Sequence, residues 1–102
     1  MGRGEPTYDL QQLQQLIGQG LASSSITKAA EAGAAECEWQ RDDIVEAVLQ
    51  LTEKHFYKSM ESEKIRGLWQ DVYHLQFRGE MLYIKLQLGA DGRAFVVQFK
   101  RK

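Results

Sequence analysis

The spacing of apolar residues changes period near Thr52, and that change constrains the fold more than any other feature of the chain. Before it, Leu10, Leu13, Leu16 and Ile17 recur at helical intervals, and Ile44, Val45, Val48 and Leu49 form a second stripe. Thr7 and Asp9 are candidate caps for a first helix over residues 9–19, which Gly18 and Gly20 stop. Residues 22–25 read as a small-residue loop, after which Ser25 or Thr27 caps a short alanine-rich helix ending near Gly33. A third helix is predicted over residues 40–51. Asp42 and Asp43 fall in its first turns, where negative charge complements the unpaired backbone N–H groups.

Beyond Thr52 the stretches 56–60, 68–77, 81–88 and 94–100 are rich in aromatic and branched residues and read as strands. The clearest alternates Leu82, Ile84, Leu86 and Leu88 with Tyr83, Lys85 and Gln87. Gly79 separates two strands, and Ala90-Asp91-Gly92 makes a short hairpin connection. In the last strand, strict alternation places Phe95, Val97 and Phe99 on one face and Val96, Gln98 and Lys100 on the other. Helices first and strands second predict an α+β fold, with N-terminal helices packed on one face of a mainly antiparallel C-terminal sheet. Without repeats or linkers, residues 1–102 are expected to form a single domain, long enough to bury roughly two-thirds of its unfolded surface.

Cys37 is the sole cysteine, which excludes an internal disulfide and points to a reducing compartment; a cytoplasmic location is expected. The N-terminal segment has no apolar core, and no run approaches the roughly 20 apolar residues that span a bilayer, so no membrane association is expected. Charge is divided unevenly along the chain. Residues 1–53 carry three basic residues against nine acidic ones, and residues 54–102 carry ten against five, a balance of −6 followed by +5. Such a split hints at a polyanion or an acidic partner for the second half. The plainer alternative is solvated helix faces and strand-edge lysines that discourage aggregation.

Alternation leaves the sheet a second, polar face with room for Lys58, Gln70, His74, Tyr83, Lys85, Gln98 and Lys100. Ammonium groups neutralise phosphate oxygens, and they do so more strongly as a pentavalent transition state gains charge. Tyr83 can transfer a proton if nearby lysines lower its pKa, and Gln70 can orient a 2′-hydroxyl or a base edge. Trp69, Tyr73 or Phe77, where exposed, could stack on an unpaired base. The same pattern also describes a merely solvated sheet face. His55 and His74 lie 19 residues apart with no partners at metal spacing, so no metal site is expected. His55 is expected to cap or pack at the helix-to-strand junction, leaving His74, on the Gln70 face, as the better catalytic option. Cys37 sits between Glu36 and Glu38, which disfavours a thiolate. Phosphate-binding glycine loops and nucleophile elbows are absent from the sequence.

Four blocks then stand out in order: Phe56-Tyr57-Lys58-Ser59-Met60, Trp69-Gln70-Asp71-Val72-Tyr73, Leu82-Tyr83-Ile84-Lys85 and Gln98-Phe99-Lys100-Arg101-Lys102. In sequence and spacing they resemble the signature of the MqsR toxins. The N-terminal half is similar more loosely, through Pro6, the Leu-rich first helix, the Thr-Lys-Ala-Ala helix start and the Ile44 stripe. The resemblance implies a RelE-like fold and the toxin of a type II toxin–antitoxin pair. It further implies an mRNA interferase that cuts single-stranded message at short GC-containing sites with no metal or other cofactor. Carried over position by position, the active-site residues of that family fall on Lys58, Gln70, Tyr83 and Lys100. Tyr73, His74, Arg78, Lys85, Arg101 and Lys102 are expected to hold the RNA.

By the same resemblance the partner is a dimeric MqsA-like antitoxin with a zinc-binding N-terminal part and a helix-turn-helix C-terminal part. The zinc belongs to that partner, and DNA is reached only through it. The chain departs from the family pattern between Tyr73 and Gly79, where it reads His-Leu-Gln-Phe-Arg in place of a basic residue with prolines or a longer loop. Arg78 is expected to supply the missing charge from an RNA-contacting loop, and the altered segment leaves the cleavage sequence open. The connection after Met60 is also more acidic than usual. Two rival readings remain: a non-catalytic toxin fold that only binds an antitoxin–operator complex, and a plain RNA-binding domain.

Overall fold

Asp9 accepts a hydrogen bond from the Gln11 amide and so caps α1 (Leu10–Gly18), whose Leu13 and Ile17 turn into the core. The computed structural model describes residues 2–102; Met1 lies outside them. Thr27 caps α2 (Lys28–Ala35) twice over: its hydroxyl accepts from Ala30 N at 3.1 Å and donates to the Val97 carbonyl at 2.7 Å. The cap therefore also ties the helix to the last strand. A capping box between Gln40 and Asp43 starts α3 (Arg41–Leu49), which buries Ile44, Ala47 and Val48. α2 continues past Gly33, where the sequence pattern had ended it. A methyl group on Gly33 would come 1.8 Å from the Phe99 carbonyl oxygen, so this glycine sets the distance between α2 and the sheet.

The remaining elements are β1 (Gly2–Arg3), β2 (Ser24–Ile26), β3 (Phe56–Glu61), β4 (Trp69–Phe77), β5 (Glu80–Leu88) and β6 (Ala94–Arg101). They form one six-stranded sheet in the order β1-β3-β4-β5-β6-β2, antiparallel throughout except for the parallel β2–β6 pair. Thus the α+β expectation holds, with three helices packed on one face of a mostly antiparallel sheet. β2 replaces the expected loop: two serines and an isoleucine carry little strand signal, and Arg93 steadies them by bonding the Ser24 carbonyl and the Ser25 hydroxyl. His55 does cap the junction before β3, its Nδ1 accepting from Thr52 N at 2.9 Å.

The helix-covered core takes Tyr73, Leu75 and Phe77 from β4, Leu82, Ile84 and Leu86 from β5, and Ala94, Val96 and Phe99 from β6. The last set breaks strict alternation. Lys85 pairs with Gln98 while Leu86 pairs with Val96, so Val97 is an extra residue in a β-bulge. Val96 and Phe99 consequently share the core side, which corrects the grouping of Phe95, Val97 and Phe99. A second bulge lies at Tyr57, because Phe56 pairs with Tyr73 and Lys58 with Val72. Asp71 is fully buried at the end of this core, accepting from the backbone amides of Thr7 and Tyr8 at 2.9–3.0 Å. None of the helices among the described residues is long and apolar enough to cross a membrane.

Candidate active site

Side chains that alternate with the core residues project from the sheet face opposite the helices, in three cross-strand rows. The first row is Tyr57, His74, Tyr83 and Lys100: His74 pairs with Tyr83, Tyr83 pairs with Lys100, and Tyr57 stacks on His74. The second is Lys58, Val72, Lys85 and Gln98, each opposite the next. The third holds Met60, Gln70, Gln87 and Phe95. Both bulges serve this arrangement. If residues 57 and 97 were instead paired regularly, with no bulge, strict alternation would put Phe56 on the same face as Lys58 and Val96 on the same face as Lys100.

The rows are close enough to act on one another. The Tyr57 and His74 rings stack at 4.3 Å and 23°, and the His74 and Tyr83 centroids are 6.0 Å apart. Lys100 Nζ lies 5.2 Å and Lys85 Nζ 5.8 Å from the Tyr83 ring centre, and Lys58 Nζ lies 5.4 Å from the Tyr57 ring. Tyr83 leans across the middle row, bringing its hydroxyl to 3.9 Å from Met60 Sδ, a weak acceptor. Gln70 is only 8% exposed, and its side-chain N–H donates to Gln87 Oε1 at 2.8 Å, which holds the amide in one orientation.

Burial dominates the proton affinities. It raises the Tyr83 pKa, with a smaller push from Tyr57, so the expected lowering by lysines is not found. The ammonium groups lie over the ring, and the phenol stays protonated well above neutral pH. His74 is shifted down, first by burial and then by the positive charges of Lys102 and Lys58, which leaves a neutral imidazole at pH 7. Burial also lowers Lys85, helped by Lys100 and Lys58 and opposed by Glu63.

Three residues expected to hold RNA face the other way. Tyr73 is 1% exposed, edge-on to Phe56, and joins Leu75 and Phe77 of β4 in the helix-covered core. Arg78 has a positive φ of 50° in the β4–β5 turn and binds Asp43 and Glu46 of α3 at 2.6 and 3.0 Å. Arg101, opposite the core residue Leu82, reaches Glu80 and the Glu36 carbonyl. As for stacking platforms, Phe77 is buried against Trp39, and Arg3 covers Trp69 at 3.7 Å. Residues 74–77 belong to β4, so the supposed RNA-contacting loop shrinks to the Arg78-Gly79 turn. The C-terminal Lys102 amide donates to the Met81 carbonyl at 2.8 Å, which fixes the chain end beside the first row.

Tyr57, 56% exposed on the polar face, is the residue that sequence reasoning left unassigned. Alternation would have buried it opposite Lys58, and only the bulge turns it out. No three of His, Cys, Asp and Glu converge among the described residues. A groove of about 850 Å³ lies elsewhere, lined by α1 and the segment before β3, and contains none of the polar-face residues.

Fold and face together define a small α+β protein with one helix-covered sheet surface and one open surface of lysines, amides and aromatic rings. The chain belongs to the family described as motility quorum-sensing regulator, toxin of MqsA, whose family model matches residues 5–101. One relative is the mRNA interferase toxin MqsR of Escherichia coli (strain K12), 29% identical over 102 residues that span the whole of both chains. The chain is thus an MqsR-family toxin of a toxin–antitoxin system.

Proposed function

We propose that the open sheet face is the active site of an endoribonuclease that cuts single-stranded mRNA at short GC-containing sites and so arrests translation and growth. The observation that carries this reading is the convergence of Lys58, Tyr83 and Lys100 on one side of the sheet, in adjacent rows. The 2′-oxygen attacks its own phosphate, leaving a 2′,3′-cyclic phosphate and a free 5′-hydroxyl. Lys58 and Lys100 stabilise the charge of the phosphorane, a term worth about 10²–10³ in rate for one well-placed donor. Tyr83, kept as a phenol by burial, supplies the proton that the departing 5′-oxygen needs. Gln70, oriented by Gln87, positions the ribose or base.

Positive charge over the phosphate comes from side chains in this scheme, so cleavage needs no metal or other cofactor. The relative named as an mRNA interferase supports the RNA substrate, and the toxin-of-MqsA family description supports an MqsA-like antitoxin as partner; the cytoplasm is the compartment this reading assigns to both. That antitoxin is a zinc-binding, helix-turn-helix dimer by the same reading, and DNA is met only through it. The test is incubation of the purified chain with a GC-containing single-stranded RNA in a chelator. Cyclic-phosphate and 5′-hydroxyl ends, abolished by a 2′-deoxy substitution at the cut, are expected. Absence of cleavage, together with normal growth when the chain is expressed alone, would leave a non-catalytic antitoxin-binding module instead.

A further inference from the structure

The polar face offers abundant proton donors and almost no acceptors. A charged lysine only donates, a phenol does not accept at neutral pH, and the Gln70, Gln87 and Gln98 amides are not bases; Lys85, though lowered by burial, starts from an ordinary value of about 10.4, far above an imidazole. Transfer of a 2′-hydroxyl to phosphorus nevertheless requires that its proton go somewhere. We infer that His74 is a further catalytic residue, the general base that takes the 2′-hydroxyl proton. The inference rests on the ribonuclease reading above.

Geometry favours this role over a structural one. His74 is partly exposed in the centre of the first row, directly across from Tyr83. Tyr57 stacks on it from β3 at 4.3 Å and fixes the plane of the ring. The groups that face it are Tyr57 and Lys58 from β3, Tyr83 from β5, and Lys100 and Lys102 at the end of β6, all cationic or phenolic. Surrounded in this way, the imidazole stays unprotonated and able to accept. Glu63, in the connection after β3, is the rival acceptor; it is exposed, and its charge acts on Lys85 in the middle row. The Tyr83 hydroxyl, meanwhile, leans away towards Met60. Acceptor and donor are thereby separated, as the two ends of an in-line displacement require.

The step balances. The 2′-hydroxyl proton passes to the His74 imidazole as the O2′–P bond forms. The P–O5′ bond breaks, and the 5′-oxygen takes the Tyr83 phenolic proton. Solvent then returns the proton from imidazolium to phenolate.

The experiment is single-turnover cleavage of an RNA oligonucleotide across pH 5–9 by the wild-type chain and by His74→Gln, His74→Ala and Glu63→Gln, with each fold checked by circular dichroism. Wild-type rate is expected to rise tenfold per pH unit on the acid side and to bend at a pH lower than the ordinary histidine midpoint of about 6.5. His74→Gln should lose about 10²-fold or more together with that acid limb. Imidazole added to His74→Ala should restore part of the rate, and Glu63→Gln should cut normally. Three results overturn the inference: His74→Gln retaining the wild-type rate and acid limb, a His74→Ala loss that imidazole does not restore and that appears only in KM, or a loss carried by Glu63→Gln. Cleavage that still depends on Lys58 and Tyr83 in any of those cases leaves the ribonuclease reading intact. Absence of wild-type cleavage removes that reading and the base with it.

Discussion

His74 and Tyr83 stand opposite each other on β4 and β5 with ring centres 6.0 Å apart, and burial moves their proton affinities in opposite directions. Desolvation favours the neutral form of each: imidazole on one side and phenol on the other. A single environment therefore prepares an acceptor and a donor for the same pH range. With the Tyr83 pKa above its ordinary value near 10, no basic limb is expected in the pH–rate profile below pH 10. Tyr83→Phe, which keeps the ring and removes the proton, should lower kcat by about 10²–10⁴ with KM little changed. Steady-state kinetics on an oligonucleotide check both.

Lys58 and Lys100 come from opposite flanks of the face, one delivered by each bulge. Each alanine variant should reduce kcat/KM by about 10²–10³, and arginine should restore part of it by keeping the charge. Because both act on one phosphate, the double variant should lose less than the product of the single losses. Each substitution should also flatten the salt dependence of RNA affinity by about 0.7 in log–log slope. Fluorescence anisotropy over a salt series measures this.

Arg78 and Arg101 contribute to the excess positive charge of the second half but spend it on acids and a carbonyl of the helix side. Alanine at either position should leave RNA affinity and cleavage unchanged and lower Tm slightly. A binding isotherm beside a melting curve separates the two effects. Loss of RNA affinity would show that the arginines swing to the other face.

Gly33 lies against the Phe99 carbonyl with no room for a methyl group. Gly33→Ala should destabilise the fold by about 1–3 kcal/mol, the usual cost of overpacking, despite alanine being the better helix former. Chemical denaturation would show it as a lower midpoint at constant slope. Because Lys100 follows Phe99, activity should fall further than the lost fraction of folded protein explains.

Much of this architecture was legible in the sequence because apolar periodicity is a direct image of which side chains meet the core. Leu82, Ile84 and Leu86 alternate without interruption, and β5 follows them. Leu13 and Ile17 mark the inward side of α1 in the same way. What periodicity cannot record is an added residue in one strand with none in its partner. Tyr57 and Val97 are such residues, so the side occupied by Phe95 and the exposure of Tyr57 came only with the register. Charge is equally silent about direction: Lys85 and Arg101 look alike in a basic segment, yet one lies above the sheet and the other below. Gly33 resembled a helix stop because a glycine that ends a helix and one that admits a neighbouring strand look the same without the neighbour.

The two bulges also set where the chain can change length. β4 and β5 pair residue for residue, so one amino acid gained or lost in either would turn half of their side chains inside out. β3 and β6 each carry one link of slack. A chain lacking Val97 would pair regularly, with Val96 and Phe99 still inside and Gln98 and Lys100 still outside, losing only the carbonyl that Thr27 bonds. A chain lacking Tyr57 would likewise keep its core but strip His74 of its stacking partner. Shortening thus separates folding from chemistry: the same one-residue loss should cost stability at position 97 and turnover at position 57, which paired melting and cleavage measurements on the two deletions would resolve.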